Sequence, residues 1–370
     1  MVVATGDSGG VPMPDMHKRA AIMAQQVEHL ASDAMEGRAT GTEGGRMARR
    51  FVEDGFADLG LVQAGDDGTY SHHISAVGGA NLLGAIPGSG PNSDRYVMVA
   101  AHYDHLGKYF GRVHPGANDN AAAVAVLLDV ARQLTELNNL DRSVLICSFD
   151  AEEPPYFCTE DMGSVHWVDR PSVDLNRVDV MVCLDTIGHA LGPDSLPDSV
   201  RRTVFVLGAE RSGLGEVVDE LAALDDRVLP RRLDADVIPP LSDHYAFEQA
   251  SIPFLFYTTG RDRHYHTPKD TPDKLDYPKM VGFADHIADL MWTLSTGPAL
   301  EYDPSGRDDQ TTIRTLVDIG RHAAPLHENA EHVKGLIDKL ERKLQDKTPL
   351  NPFDRAGLRS TIIAIENALA

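Results

Sequence analysis

The sequence contains few cysteines, and they indicate neither disulfide bonds nor a thiolate metal site. Only Cys147, Cys158 and Cys183 occur among 370 residues. This number is too small for the disulfide framework of a small secreted domain. Cys147 and Cys183 lie in short apolar runs, where we predict small buried core residues. Cys158 has no spacing that is typical of a zinc ligand, so we assign it no function.

Positive charge is also scarce, since 34 Lys and Arg stand against 56 Asp and Glu and the formal net charge is −22. This balance argues against nucleic acid or an anionic membrane surface as the main partner. No apolar run approaches the ~20 residues of a membrane span. The N-terminal residues lack the basic and apolar regions of a signal peptide. We therefore expect a cytoplasmic protein that binds neither nucleic acid nor membrane.

Apolar residues make up 42% of the chain, and their patterns are typical of an α/β protein. Residues 97–101 and 144–149 are short apolar runs bounded by polar residues, which predicts buried strands. Residues 121–137, between these runs, are rich in Ala and Leu and predict a helix that is buried on most sides. The three elements form a βαβ-type unit. Further strands are predicted at 179–188, 204–208 and 252–258.

The two ends of the chain differ from this central part. Residues 1–15 are rich in Gly, Pro and Ser, so we predict a loose segment. Beyond residue 304, apolar residues recur at helical spacing at Val333, Leu336, Ile337, Leu340, Leu344, Leu358, Ile362, Ile365 and Leu369. Such helices either pack against the same chain or form a homo-oligomer, and both interpretations stay open. We therefore predict a main domain over 16–303 and a C-terminal helical extension over 304–370.

Side chains that can bind metal follow the predicted strands in sequence order: His102, Asp119, Glu152, Glu153, Asp185 and His266. Ligand sites of open α/β sheets lie beyond the carboxyl ends of the strands, so we expect these side chains to converge. Two zinc ions roughly 3.5 Å apart can activate water and polarise a carbonyl. A carboxylate that is not a ligand can then move protons. The order of these residues predicts a metal site for hydrolysis, although each residue alone is a weak signal.

Several motifs around these residues resemble those of a known family, the co-catalytic zinc aminopeptidases related to bacterial leucyl aminopeptidase. That family also contains glutamate carboxypeptidase II, glutaminyl cyclase and the transferrin receptor ectodomain. The similarity covers about residues 25–295 and rests on AAHYDHLG, GANDNAAAVAVLLDVAR, FDAEE followed by MGS, CLDTIG, SDHYAFEQASIPFLFY and HYHTPKDTPDKLD. The resemblance implies a hydrolase that uses two zinc ions.

The resemblance also implies a role for each metal ligand. His102 and Asp185 are expected to bind one zinc ion, and Glu153 and His266 the other. Asp119 is expected to bridge the two ions. The motifs assign no metal to the neighbouring histidines at positions 105 and 264.

Three further residues receive roles from the same resemblance. Glu152 is expected to be the general base, which takes a proton from the attacking water and passes it to the leaving amine. Asp104 is expected to orient His102, and Tyr265 to help hold the oxyanion. One departure from the family pattern is the Pro154–Pro155 pair, which we expect to stiffen a loop at the substrate pocket and to alter substrate preference.

Together, these observations predict a three-layer α/β/α catalytic domain with a mixed, mostly parallel sheet, followed by the helical extension. The expected activity is removal of N-terminal residues from peptides. A glutaminyl-cyclase-like acyltransferase with one zinc ion is an alternative, although all five zinc ligands are present. A carboxypeptidase and a non-catalytic receptor or scaffold module on the same fold are further alternatives. A carboxypeptidase would need an arginine in its pocket, for which Arg112, Arg261 and Arg263 are the candidates.

Overall fold

The computed structural model of the protein describes residues 15–369, except residues 138, 241, 348 and 349. The predicted loose segment therefore lies outside the described residues, apart from Asp15. The Asp15 side chain accepts a hydrogen bond from the backbone N–H of His17 and caps the first helix.

The helices of the described chain are α1 (Met16–Leu30), α2 (Glu43–Asp58), α3 (Ala122–Thr135), α4 (Gly163–Asp169), α5 (Asp198–Arg201), α6 (Gly215–Ala222), α7 (His244–Gln249), α8 (Tyr277–Thr296), α9 (Asp309–Ala323), α10 (Ala330–Asp346) and α11 (Pro352–Leu369). The strands are β1 (Val62–Gln63), β2 (Ser71–Ile74), β3 (Gly79–Ile86), β4 (Tyr96–His102), β5 (Lys108–Tyr109), β6 (Arg112–Val113), β7 (Ser143–Phe149), β8 (Val178–Leu184), β9 (Thr203–Leu207), β10 (Leu229–Leu233) and β11 (Phe254–Thr258).

Nine of these strands form one mixed sheet in the order β1–β3–β7–β4–β8–β11–β9–β10, with β2 paired to β3. The four central strands β7, β4, β8 and β11 run parallel to one another. On the two sides, β3 runs antiparallel to β7, and β9 runs antiparallel to β11. The predicted mixed sheet is confirmed, and its central parallel strands end at one common edge.

Helices cover both faces of this sheet, which confirms the three-layer α/β/α class. Alternate side chains of a strand point to opposite faces. Accordingly, Val97 and Val99 of β4 join a core with α1, α2, α3 and α8, whereas Met98 and Ala100 join a core with α4, α7 and the C-terminal helices. A strand buried on both faces must be apolar throughout, and this explains the continuous apolar runs in the sequence.

The predicted C-terminal helices α10 and α11 are present, and the sequence patterns had not indicated α9, which precedes them. Buried side chains of all three helices, such as Ile313, Ile337 and Ile365, belong to the core on the second face of the sheet. The apolar stripes thus pack within the chain, and the C-terminal helices complete the second helical layer. A homo-oligomer through these helices stays a prediction.

Two smaller expectations can be compared with the structure. Cys147 and Cys183 are buried in β7 and β8, as predicted, and Cys158 is exposed. Within the described residues, none of the helices has the length and apolar character that crossing a membrane requires.

Candidate metal centre

The predicted site residues follow the four central strands. His102 is the last residue of β4, and Asp185 comes directly after β8. Glu152 and Glu153 lie just beyond β7, and His266 lies in the loop beyond β11. Because these strands are parallel, their carboxyl ends bring residues that are distant in sequence to one edge of the sheet.

The first group of side chains surrounds the His102 imidazole. Its Nε2 lies 3.7 Å from an oxygen of Glu152 and 3.7 Å from Oδ1 of Asp185. All three side chains are nearly inaccessible to solvent. This group therefore offers one imidazole and two carboxylates to a cation.

The second group lies on the other side of Asp119. The His266 Nε2 is 3.0 Å from Oδ2 of Asp119 and 3.2 Å from an oxygen of Glu153. The other Asp119 oxygen, Oδ1, is 3.4 Å from Nε2 of His102. Asp119 thus turns one oxygen toward each group, which is the arrangement that a bridging carboxylate needs.

The burial of these polar atoms indicates what the centre can hold. Among the described residues, Nε2 of His102, Oδ2 of Asp119, Oδ1 of Asp185 and Nε2 of His266 are buried and lie close to one another, but they make no hydrogen bond of good geometry. Buried polar atoms without partners are costly unless a ligand satisfies them. Imidazole nitrogens and carboxylate oxygens are ligands that Zn²⁺ takes in proteins. The donor set therefore fits zinc.

Asp104 holds both His102 and the glutamate pair in place. Its Oδ1 lies 3.5 Å from the His102 Nδ1. Its two carboxylate oxygens also accept hydrogen bonds from the backbone N–H groups of Glu152 and Glu153, each at 3.2 Å. Asp104 thus lies where an orienting residue for His102 would be, and it additionally fixes the backbone that carries both glutamates.

Sequence reasoning missed two residues that position Asp119. Arg38 is fully buried and donates hydrogen bonds to the backbone carbonyls of Pro115, Gly116 and Asp119, among others. Asp270 accepts hydrogen bonds from the backbone N–H groups of residues 118 and 119. Asp270 lies in HYHTPKDTPDKLD, one of the motifs that carry the family resemblance, but no pattern in the sequence shows which distant loop Arg38 and Asp270 hold.

A further histidine, His105, approaches the second group. Its Nδ1 lies 2.7 Å from Oε1 of Glu153 and 3.8 Å from Oδ2 of Asp119. Its side chain is fully buried, and its ring centroid is 5.7 Å from that of His266. Both His105 and His266 are therefore close enough to complete the second group, although the motifs assign only His266.

Tyr265 lies beside the centre, next to a larger cavity. Its ring stacks on His266 with the centroids 3.8 Å apart, and Arg261 lies over it at 5.9 Å from the ring centroid. Tyr265 and Asp185 both line the cavity. The ring therefore supports the orientation of His266.

The acidities of the carboxyl groups differ across the centre. Burial raises the pKa of Glu152 well above its usual range, against the opposing effect of the nearby His102. Burial also raises the pKa of Asp243, to about 7, with a contribution from the Asp104 carboxylate. Burial acts in the same direction on Asp119, but the adjacent imidazoles outweigh it and hold its pKa well below the usual range. Asp119 is therefore charged and suited to a cation, whereas Glu152 is suited to carrying a proton.

The two histidines of the loop after β11 give a test of the ligand assignment. We expect His266→Ala to bind less zinc than the wild type, because this substitution removes a nitrogen that faces both Asp119 and Glu153. His264→Ala should keep its zinc, since His264 lines the neighbouring cavity. Zinc per chain is measured by mass spectrometry of the metal in both purified variants. Normal zinc in His266→Ala, or loss in His264→Ala, would contradict the assignment.

Buried histidines and carboxylates at the carboxyl edge of an α/β sheet, beside a carboxyl that can carry protons, are groups that a metal-dependent hydrolase needs. The family is shown by direct comparison: the chain belongs to peptidase family M28, whose sequence model matches residues 81–291. This result confirms the family resemblance and the hydrolase class predicted from the motifs.

The relatives include an aminopeptidase and a glutaminyl-peptide cyclotransferase. The chain is 30% identical to YfbL of Escherichia coli over 230 residues, which cover 55% of this chain and 68% of YfbL. It is 26% identical to aminopeptidase YwaD of Bacillus subtilis over 202 residues, 52% of this chain and 39% of YwaD. It is 25% identical to glutaminyl-peptide cyclotransferase of Boiga irregularis over 291 residues, 69% of this chain and 75% of that protein.

Solved structures give the same fold. LapA aminopeptidase of Legionella pneumophila superposes with a TM-score of 0.59 at 17% identity, over 76% of this chain and 74% of LapA. At this identity the likeness shows the fold alone.

Proposed function

We propose that this chain is a dizinc aminopeptidase that removes N-terminal residues from peptides. The observation that carries the proposal is the orientation of Asp119, whose two oxygens face His102 and His266 separately. Membership of a peptidase family supports peptides as the substrate class. An aminopeptidase among the relatives supports the choice of the N-terminus.

In this proposal His102 and Asp185 would hold one zinc ion, Glu153 and His266 would hold the other, and Asp119 would serve both. When bound, the two zinc ions would lower the pKa of a water molecule and polarise the scissile carbonyl. The chain itself supplies three carboxylates and two imidazoles as ligands. When ionised, these three carboxylates and Glu152 carry four negative charges, which balance the four positive charges of two zinc ions.

Glu152 moves the proton in this proposal. Its carboxyl is buried beside His102, and burial raises its pKa, so it can take a proton from water and release it to the leaving amine. Glu152 also lies within reach of a cation in the first group. Retention or loss of metal on its substitution therefore separates the role of general base from that of ligand.

The arginines near the site bear on which end of a peptide the enzyme cleaves. Arg261, one candidate for gripping a C-terminal carboxylate, already makes a bidentate ion pair with Glu366, at 2.9 Å for both contacts. Arg112 lies on β6 and is not among the residues that line the cavity. Arg263 lines the cavity and is the remaining candidate. Because Arg261 is paired with Glu366, it is not free to bind a substrate carboxylate. This pairing favours an aminopeptidase over a carboxypeptidase.

One peptide in three forms, unmodified, N-terminally acetylated and C-terminally amidated, tests which end of the peptide the enzyme cleaves. We expect N-terminal acetylation to lower kcat/KM by roughly 100-fold or more, because the free ammonium group contributes to positioning at a nearly neutral centre. Amidation of the C-terminus should change kcat/KM less than about threefold. Cleavage products are identified by mass spectrometry.

Arg263→Ala is the matched variant for this comparison, since it removes the remaining candidate for a carboxylate clamp. The variant should have the same relative kcat/KM values for the three forms of the peptide as the wild type. If amidation abolishes cleavage and Arg263→Ala has the same effect, the enzyme is a carboxypeptidase.

A further inference from the structure

The loop that carries Asp119 is joined to the loop after β8 by one buried amide. Oδ1 of Asn118 accepts a hydrogen bond from the backbone N–H of Gly188 at 2.8 Å, and Nδ2 of the same amide lies 2.9 Å from Nδ1 of His189. The side chains of Asn118 and His189 are both buried. Asn118 directly precedes Asp119, and His189 lies in the loop that begins with Asp185. This amide therefore connects the segments of two predicted zinc ligands.

The same contacts determine which nitrogen of His189 carries the proton. A backbone N–H can only donate, so the oxygen of the Asn118 amide must face Gly188 and its NH₂ group must face His189. Nδ1 of His189 is therefore the acceptor, and in the neutral imidazole the proton is on Nε2. Burial, together with the nearby Lys279, lowers the pKa of His189 to about 4. At neutral pH the ring is uncharged, and Nδ1 keeps the lone pair that this hydrogen bond needs.

Helix α8 fixes the backbone of this histidine. Lys279 of α8 is buried and donates hydrogen bonds to the carbonyl of His189 at 2.8 Å and to the carbonyl of Thr203 at 3.0 Å. Asp276, which caps the start of α8, donates its backbone N–H to the carbonyl of Gly188 at 2.8 Å. The two residues that contact Asn118 are thus both held by α8 and its cap.

Two further contacts restrict the segment that carries Asp119. A Cβ added at Gly188 would lie 2.7 Å from the Cβ of Ala122 and 3.1 Å from Oδ1 of Asn118, so the two loops are in direct contact. The carboxylate of Asp270 also accepts hydrogen bonds from the backbone N–H groups of residues 118 and 119. Asn118 is therefore fixed through both its side chain and its backbone, and this restricts the position of Asp119 beside it.

His189 belongs to neither group of metal-binding side chains, and it lies outside the motifs that carry the family resemblance. We propose that His189 is a positioning residue, which acts through Asn118 to fix Asp119. It keeps Asp119 at a constant place relative to the loop of Asp185, so that the one carboxylate can serve both groups of zinc ligands. The proposal rests on the function proposed above.

Removal of the acceptor nitrogen should weaken zinc binding. Partners that orient metal ligands typically change metal affinity by about 10- to 100-fold when they are substituted, so we expect His189→Leu to bind zinc about tenfold more weakly or worse. His189→Asn is the conservative variant, because its side-chain oxygen can accept the hydrogen bond from Asn118. This variant should keep the zinc affinity within about threefold of the wild type. Zinc affinity is measured by competition with a chelator that changes colour when it binds zinc.

Asn118→Ala removes the other partner of the same hydrogen bond. It should weaken zinc binding by about tenfold as well. The double variant with His189→Leu should be no weaker than the weaker single variant, because both substitutions remove one shared interaction.

His286→Leu is the matched control. His286 is also a buried histidine whose pKa burial lowers to about 4, and its Nε2 lies 3.1 Å from the hydroxyl of Tyr257, but it belongs to neither group of metal-binding side chains. This variant should keep the wild-type zinc affinity. Thermal unfolding of every variant checks that the fold is retained.

Wild-type zinc affinity in folded His189→Leu or Asn118→Ala would overturn the proposed role of His189. An equal loss of affinity in His189→Asn or in His286→Leu would also overturn it, and so would additive effects in the double variant. Peptide cleavage tests the proposed function separately. A wild-type enzyme with two bound zinc ions and no cleavage of any peptide would overturn that function, while the zinc affinities would still decide the role of His189.

Discussion

Substitution of Glu152 by Gln is expected to lower kcat on the order of 100-fold or more while both zinc ions stay bound. Gln has nearly the same shape as Glu, so the buried position beside His102 is preserved. The amide cannot take a proton from water, and it therefore removes the proton transfer without removing a ligand. Steady-state rates and zinc content are measured on the same preparation.

Glu210 gives a matched control for this substitution. Burial raises the pKa of Glu210 to about 7, so it is another buried carboxyl with a raised pKa. It accepts a hydrogen bond from the backbone N–H of Ala235, lies 3.4 Å from Nε of Arg211 and is not part of the metal centre. Glu210→Gln should keep the wild-type kcat. Near-normal turnover of Glu152→Gln would mean that another group is the base, and loss of zinc from it would mean that Glu152 is a ligand.

Substitution of Asp119 by Ala is expected to lower the rate by a similar factor, but in this variant the cause is loss of zinc. Both groups of the centre face this one carboxylate, at 3.4 Å for His102 and 3.0 Å for His266. Without it, each zinc ion loses a negatively charged ligand and the two ions repel each other directly. Zinc content should fall from about two ions per chain to one or fewer, and peptide cleavage to background.

Removal of metal from the wild-type enzyme is the control for Asp119→Ala. Chelation should abolish cleavage, and added Zn²⁺ should restore it in the wild type and fail to do so in the variant. Full activity of a wild-type sample shown to be free of metal would overturn the proposed zinc chemistry. Wild-type zinc content in Asp119→Ala would show that Asp119 is not the bridge.

The strands and the order of the site residues followed directly from local patterns. The run predicted at 97–101 corresponds to β4, and the run at 144–149 to β7, because a strand buried on both faces must be continuously apolar. The Ala-rich run at 121–137 corresponds to α3 for a similar reason. Short apolar runs with polar residues at their ends contain enough information to predict both the strand and the edge at which its polar residues lie.

Elements with less regular patterns were not predicted. Helices α8 and α9 and strand β10 carry mixed sequences, and contacts with the rest of the protein stabilise them. One example is Lys279 of α8, which is buried and donates hydrogen bonds to the backbone carbonyls of His189 and Thr203. A charged residue in such a position does not indicate a buried helix until its partners are known.

The amino-acid sequence alone was sufficient for the α/β class, for the family and for the set of side chains from which a metal centre can be built. These properties depend on local apolar periodicity and on short motifs, which can be read without knowing how the chain folds. The arrangement of that set depends on contacts between residues far apart in sequence. Arg38 and Asp270 hold the loop of Asp119, and Arg261 joins Glu366 of α11 to the rim of the centre. Such pairings become visible once folding brings the two partners together, because hydrogen bonds and ion pairs depend on distance in space.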